Sequence, residues 1–252
     1  MNYEHIKRAR FIDRPNRFIA NASLISPDQG NDKSTIGPIH EESSMVICHV
    51  KNTGRCRELL LPGAEILLQY HPNAAASGRR TQYSLIGVYK SSSNLPEGRL
   101  LINMDSQAPN QAAYEWLSAQ DYAENIRREV TFGSSRFDLA FDLNGKQAYM
   151  EVKGVTLEED GIARFPDAPT VRGLKHIEEL TAMAKKGIPC FLLFVIQMKS
   201  ITQFEPNMAT QPEFGHALTT AQKSGVHILA YDCIITENSM VIDAPVPVFL
   251  PV

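Results

Sequence analysis

At 252 residues the chain has room for one large or two modest domains, and its 43% hydrophobic and 21% charged content is that of an ordinary soluble globular protein. A charged start (Lys7, Arg8, Arg10) argues against a signal peptide, and the apolar run Cys190–Ile196 is too short to span a bilayer; four cysteines with no C-x-x-C pair read as free thiols of a reducing cytoplasm, not a disulfide set or a zinc site. The net charge of −3 does not advertise a nucleic-acid binder, but residues 1–100 carry 13 Lys and Arg against 9 Asp and Glu (+4) and residues 101–252 carry 12 against 19 (−7), which fits a phosphate-binding module joined to a metal-binding one.

The first hundred residues read as short strands separated by turns. Candidates are Arg17 to Ile25, Met45 to Val50, Glu65 to Tyr70 after a Pro62-Gly63 turn, Gln82 to Tyr89, and Arg99 to Asn103. Five such strands predict a small barrel of OB type. Residues 27–42, rich in Gly, Ser, Asp and Pro, read as a loop. Arginines, Arg55, Arg79 and Arg80 among them, interleave with Phe11, Phe18, Tyr70, Tyr83 and Tyr89. A barrel holds single strands with that mixture of cationic groove and stacking rings, although any one of these rings is more often core and any one arginine more often solvated. Arg79-Arg80 follow the small-residue run Ala74 to Gly78 and read as a mobile basic loop suited to phosphate contact.

The pattern changes from Pro109. Asn110 is placed to cap a helix through Leu117, and Glu129 to Gly133 leads into a hairpin. After Lys153 the chain loops through Gly161. Thr170 caps a helix from about Val171 to Lys186, with Leu174, Ile177, Leu180 and Met183 as its buried stripe and Arg172, Lys175, His176 and Glu179 along another face. Gly187 ends it. Ile188 to Ile196 is continuously apolar and reads as a central strand; a helix from Pro212 to Ser224 and a strand from Val226 to Ile235 follow. The expected domains are 1–105 and 106–252, the second a mixed α/β domain.

The hairpin carries the chemistry. Phe137, Leu139, Phe141 and Leu143 alternate with polar residues, Asn144-Gly145 makes the turn, and Ala148, Met150 and Val152 alternate with Tyr149, Glu151 and Lys153. A two-residue turn sets Leu143 across from Lys146. Counting outward, Asp138 faces Glu151 and Arg136 faces Lys153, with Cβ atoms of a facing pair roughly 4.5–5.5 Å apart. Two facing carboxylates repel unless a positive charge lies between them, and a hard divalent cation, first of all Mg²⁺, is the natural filler. Charged residues on a solvated strand face are common. An Asp, twelve intervening residues and then Glu-x-Lys on one hairpin face is more specific. It looks like the metal motif of the PD-(D/E)XK nuclease superfamily.

Further segments resemble the bacterial sugar fermentation stimulation protein family (SfsA). They include Asn52-Thr53-Gly54-Arg55, Gly133-Ser134-Ser135-Arg136-Phe137-Asp138, Glu151-Val152-Lys153-Gly154-Val155-Thr156-Leu157, Phe165-Pro166-Asp167-Ala168 and Arg172-Gly173-Leu174-Lys175-His176. The resemblance covers nearly the whole chain. The chain departs from it at Lys51, where a proline is usual, and at Met198 to Ile201, which lack an Arg-x-Asp. It implies an OB-like N-terminal barrel, a PD-(D/E)XK nuclease-like C-terminal domain, and DNA, single- or double-stranded, as a weakly sequence-specific partner. If the triad works as in nucleases, Asp138 and Glu151 hold Mg²⁺ (Mn²⁺ as a substitute), helped by the Val152 carbonyl, and Lys153 orients the attacking water or steadies the phosphate. Glu115 is the candidate third carboxylate, with Glu129 as the alternative. Arg55, Arg79, Arg80, Arg136, Arg172 and Lys175 are the candidate phosphate contacts; the last three serve equally as structural ion-pair partners. Two functions stay open: a metal-dependent deoxyribonuclease, and a DNA-binding regulator of sugar-utilisation genes that keeps the scaffold without cutting.

Overall fold

The computed structural model describes residues 1–25, 44–52, 54–92, 95 and 98–252; the expected loop at 27–42 lies outside the described residues. The chain divides into two compact units, Asn2–Asp105 and Met1 with Ser106–Val252.

The first unit contains β1 (Ile6–Asn16), β2 (Ile19–Leu24), β3 (Met45–Val50), β4 (Glu65–Tyr70), β5 (Tyr83–Ser91) and β6 (Arg99–Asn103). β1 pairs antiparallel with β2 and β4, β2 with β3, and β4 with β5. Parallel pairing of β3 with β5 closes the ring. The result is a closed five-stranded barrel of OB type, with β6 added outside the ring on β5. Closure removes the open strand edges that a sheet of this size would otherwise present. The barrel interior is filled by small side chains from β1 and β2 (Ala9, Ala20, Ala22) and larger ones from β4 and β5 (Ile66, Leu68, Leu85), all buried. The sequence reading reached five strands by counting β6 and missing β1. In β1 only Ala9 and Phe11 are buried, amid five charged residues, so no alternating apolar face announces it.

The second unit runs α1 (Ala108–Ser118), β7 (Ala123–Phe132), β8 (Ser135–Leu143), β9 (Lys146–Val155), β10 (Leu157–Glu159), β11 (Ile162–Phe165), α2 (Val171–Ala184), β12 (Cys190–Ile196), β13 (Gln203–Pro206), α3 (Pro212–Lys223), β14 (Val226–Ile235) and β15 (Met240–Pro245). The main sheet has the order β15-β14-β12-β9-β8-β7, and β10, β11 and β13 form a small second sheet. β12 lies parallel to both β9 and β14, which is why its sequence is apolar without alternation. α1 covers one face, placing Ala112, Ala113 and Leu117 against Leu139, Phe141, Met150, Val152, Leu193 and Val195. α2 packs on β12 and β14 from the other face with Ile177 and Leu180 buried, and α3 lies beside it. Thr170 caps α2 by accepting from Gly173 N at 2.9 Å. Asn144 and Gly145 both have positive φ (49° and 75°), as the tight hairpin turn requires.

Two local expectations are corrected. The first helix starts two residues before Asn110, with Gln107 at its N-cap and Pro109 in its first turn; Asn110 is inside the helix and its side chain is used elsewhere. The chain after Lys153 is not a loop: β9 continues to Val155 and β10 and β11 form a second hairpin. Among the described residues no helix is long and apolar enough to cross a membrane.

Gly154 fixes how α1 meets β9. A Cβ there would lie 2.4 Å from Gln197 Oε1 and 2.6 Å from Pro109 Cγ. Gly154→Ala therefore displaces the first turn of α1 or the buried Gln197 side chain. We expect a loss of about 1–3 kcal/mol in urea unfolding; an unchanged midpoint would contradict this packing.

Candidate functional site

The β8–β9 ladder runs from Leu143–Lys146 to Leu139–Met150 in the register expected from the turn, and then stops. At that point the alternation in β8 also breaks. Leu139 and Phe141 pack with α1, whereas Phe137 meets Tyr149 at a tilt, ring centroids 5.7 Å apart, and lies 6.2 Å from the His176 ring, on the side of α2. Asp138 sits at this break. Its Oδ2 accepts from Val152 N at 2.8 Å, substituting for a ladder bond, and its Oδ1 accepts from Asn110 Nδ2 at 2.7 Å. Asn110 reaches it from the first turn of α1.

Glu151 is 3% exposed. Its Oε1 accepts from Lys153 Nζ at 2.5 Å and is also bonded to His176 Nδ1. Its Oε2 is buried and, among the described residues, has no hydrogen-bond partner. Burial pushes the Glu151 carboxyl up, but the His176 bond and the Lys153 charge outweigh it, so the group stands below the ordinary carboxylate range. An ionised carboxylate only accepts, so His176 carries a proton on Nδ1. Asp138 shifts the other way: burial first, then the charge of Glu151, hold it above its ordinary value against the Val152, Lys153 and Asn110 contributions.

The site therefore joins Asp138, Glu151 and Lys153 with two residues that sequence reasoning missed. Asn110 was read as a helix cap, although a partner for it across the domain leaves no local signal. His176 was placed on the outer face of α2 with Arg172, Lys175 and Glu179, but it is 5% exposed. Its spacing to Gly173 and Leu180 put it on the buried stripe all along, and only its polarity argued otherwise.

The other candidates lie elsewhere. Glu115 bonds the amino group of Met1 at 2.5 Å and Gln111 Nε2 at 2.7 Å, so it is not brought to the carboxylate pair. Glu129 and Arg136 pair with each other at 3.5 Å, both exposed, where β8 meets β7. Arg136 thus does not face Lys153, because the ladder ends before reaching them. Arg172 and Lys175 are exposed on the first turns of α2, Lys175 within 3.7 Å of Glu179. In the barrel unit, the Arg55 carbonyl accepts from Arg14. Arg79 and Arg80 line a cleft of about 510 Å³ with Phe18, His49 and Thr81. The run before them is a series of hydrogen-bonded turns, and Arg79 is tied to Ser84 at 2.7 Å.

Among the described residues no group of three His, Cys, Asp or Glu side chains gathers to hold a metal. Asp138 and Glu151 are two carboxylates close enough for the charge of one to raise the other, with one Glu151 oxygen left without a hydrogen bond; an all-oxygen donor pair of this kind is the type a hard cation takes.

Residues 12–95 match the family described as SfsA N-terminal OB domain, and residues 107–239 the one described as Sugar fermentation stimulation protein RE domain. A sugar fermentation stimulation protein homolog of Desulfitobacterium hafniense (strain Y51) is 46% identical over 242 residues, covering 95% of this chain and 94% of that one. The homolog of Clostridium beijerinckii is 42% identical over 253 residues, 99% and 100% of the two chains. The solved structure of Pyrococcus furiosus SfsA in complex with Ca²⁺ superposes with a TM-score of 0.79 at 22% identity, over 99% of this chain and 98% of that one.

The opposed shifts predict how the site weighs on stability without metal. Asp138, raised in the fold, costs stability at neutral pH, and this is relieved as pH falls through its raised value. Glu151, lowered in the fold, contributes stability above its unfolded value and loses it as pH falls through its folded one. In EDTA at neutral pH we expect Asp138→Asn, with the Asn110 amide turned to accept, to raise Tm by roughly 2–4 °C, the shift given by ~1 kcal/mol. Glu151→Gln lowers it. The Asp138→Asn gain should shrink on acidification; a Tm below wild type at neutral pH would contradict the repulsion.

Proposed function

The chain belongs to the sugar fermentation stimulation protein family, and from that premise we propose that it binds DNA and hydrolyses phosphodiester bonds with a divalent metal, Mg²⁺ first and Mn²⁺ as its substitute. The observation that carries this reading is the unpartnered, buried Glu151 Oε2 beside an Asp138 that its neighbours keep from ionising freely. The Asp, Glu-x-Lys hairpin of the PD-(D/E)XK nucleases supports it. So does the description of the Pyrococcus furiosus relative as a Ca²⁺ complex, which speaks for a hard cation without selecting one. A donor set of two carboxylates suits Mg²⁺, which keeps part of its hydration shell and is commonly held by one or two carboxylates with substrate phosphate.

In this reading Asp138 and Glu151 Oε2 hold the metal, which when bound acidifies a coordinated water and neutralises charge on the phosphate. Val152 N and Asn110 fix the Asp138 carboxylate. His176 Nδ1–H keeps Oε1 of Glu151 turned away, so that Oε2 is the oxygen presented. Lys153, 15% exposed, brings a positive charge to the mouth of the site, where it is placed to orient a water or steady a phosphate. Arg172 and Lys175 on α2, and the cationic cleft of the barrel with Arg79 and Arg80, supply phosphate contacts. Such contacts carry no base information, so binding is weakly sequence-specific and salt-sensitive.

A second reading, a DNA-binding regulator that does not cut, is favoured by one observation: Lys153 Nζ is bonded to Glu151 rather than offered to a substrate. Labelled single- and double-stranded DNA incubated with Mg²⁺, Mn²⁺ or EDTA separates the two. Metal-dependent cleavage reduced roughly 10²-fold or more in Asp138→Asn and Lys153→Ala is the expected result. Salt-sensitive binding with no cleavage, unaffected by either variant, would instead establish the regulator.

A further inference from the structure

The cleft on the barrel lies between the β1–β2 turn and the β4–β5 connection and has a polar floor. Ser84, on β5, is fully buried; its Oγ accepts from Arg79 Nη2 at 2.7 Å and lies 3.0 Å from His71 Nε2. Arg79 can only donate, so the Ser84 hydroxyl proton is available to His71 Nε2, which then accepts. His49, the register partner of Ser84 in the β3–β5 pairing, lines the cleft. Both histidines are pushed down, by burial first and then by the charges of Arg79 and Lys51. Asp105 pulls His49 the other way, but it is bonded to Lys51 at 2.6 Å. Tyr70 and Tyr83 pack at a tilt, ring centroids 5.3 Å apart, where β4 and β5 pair.

Arg79 is the residue that this network does not satisfy. Its guanidinium is half-buried, its Nε is buried without a partner, and its bond is to a neutral hydroxyl. Among the described residues no carboxylate pairs with it. Arg14 in the same unit also leaves its Nε buried without a partner, but its Nη1 and Nη2 donate to four carbonyls, those of Gly54, Arg55, Arg17 and Asn52, so its terminal nitrogens are spent on holding loops together, whereas those of Arg79 meet one hydroxyl. A partly desolvated cation without an anion is costly. Here it is held in place by a buried serine, near two imidazoles whose charged forms it disfavours after burial, in a cleft with no acid among its described lining residues. One oxyanion would satisfy Arg79 and offset the part of the opposition to protonating both histidines that comes from its charge, leaving the part that comes from burial.

We propose that this cleft seats a phosphate group, gripped by Arg79 with Arg80 at the rim, and that His49 and His71 take up protons when it binds. The phosphate belongs either to a polynucleotide backbone or to a free phosphate ester. The proposal deepens the DNA-binding part of the reading above and does not need the carboxylate pair to bind metal or to cut. Anion binding raises the histidine pKa values, so affinity rises as pH falls.

The test is calorimetric titration of the full chain with sulfate, with a short oligothymidylate and with glycerol phosphate. It is run at about pH 6 and about pH 8, in two buffers of different ionisation enthalpy. Sulfate and a phosphodiester keep their charge over this range, so any proton taken up is the protein's. Sulfate should bind about tenfold tighter at the lower pH, with measurable proton uptake. Arg79→Ala should abolish that binding, Arg79→Lys (charge kept, fork lost) should weaken it, and His49→Gln should reduce the proton uptake, with thermal melting confirming that each variant is folded. Displacement of sulfate by oligothymidylate identifies the backbone as the source, and displacement by glycerol phosphate alone identifies a free ester. Absence of sulfate binding in the wild type, equal binding by folded Arg79→Ala, or binding without proton uptake would overturn the proposal. Sulfate binding is independent of any cleavage result, so the two readings fail separately.

Discussion

Two carboxylates brought together at the end of one hairpin repel each other, and the C-terminal unit is arranged around that repulsion. The β8–β9 ladder stops one pair short of Asp138 and Glu151, and side chains replace the missing backbone bonds. α1 contributes Asn110 to one carboxylate, and α2 contributes His176 to the other. β9 contributes both the Val152 amide and Lys153. These groups divide the pair unequally. Glu151 is held ionised by His176 and Lys153, while Asp138 bears the cost of its neighbour's charge. What they leave unsatisfied is a single buried oxygen, Glu151 Oε2. The positions of both helices against the sheet, and the glycine at 154 that lets α1 approach, are therefore positions of the site as well as of the core.

The barrel unit shows the complementary pattern. Among the described residues it holds a cation without a carboxylate partner, Arg79, bonded to the buried Ser84 and near two imidazoles that burial first, and then the Arg79 and Lys51 charges, push down. Folding tolerates few such groups, because a desolvated charge or lone pair without a partner costs more than most contacts return. In our reading Glu151 Oε2 of one unit suits a metal and Arg79 of the other an oxyanion, the two components of a phosphodiester substrate with its cation. This pairing is what a protein acting on nucleic acid needs, and it is why we read the two units as serving one ligand class.

Much of this was legible in the sequence where one physical rule dominated. Asn144-Gly145 set the hairpin register, Thr170 set the start of α2, and the unbroken apolar run marked β12 as central. The resemblance to the sugar fermentation stimulation proteins carried the barrel and the α/β domain. What was not legible depends on contacts distant in sequence or on faces with mixed chemistry. β1 hides because its outward residues are charged and only Ala9 and Phe11 turn inward. Asn110 reads as a cap because caps are local and Asp138 is not. His176 reads as surface because a polar residue on a buried stripe shows itself only when its partner, Glu151, is known to lie beneath it. Glu115 was expected on the strength of analogy alone, and its bond to the amino group of Met1 places it elsewhere.

The central claim is that Glu151 Oε2 and Asp138 form a cation site. The most direct measurement is anomalous scattering from crystals of the protein soaked in Mn²⁺. The account predicts a single strong peak in contact with Oε2 of Glu151 and the Asp138 carboxylate, absent from Asp138→Asn crystals treated alike. No peak there, or an undiminished one in the variant, would contradict it.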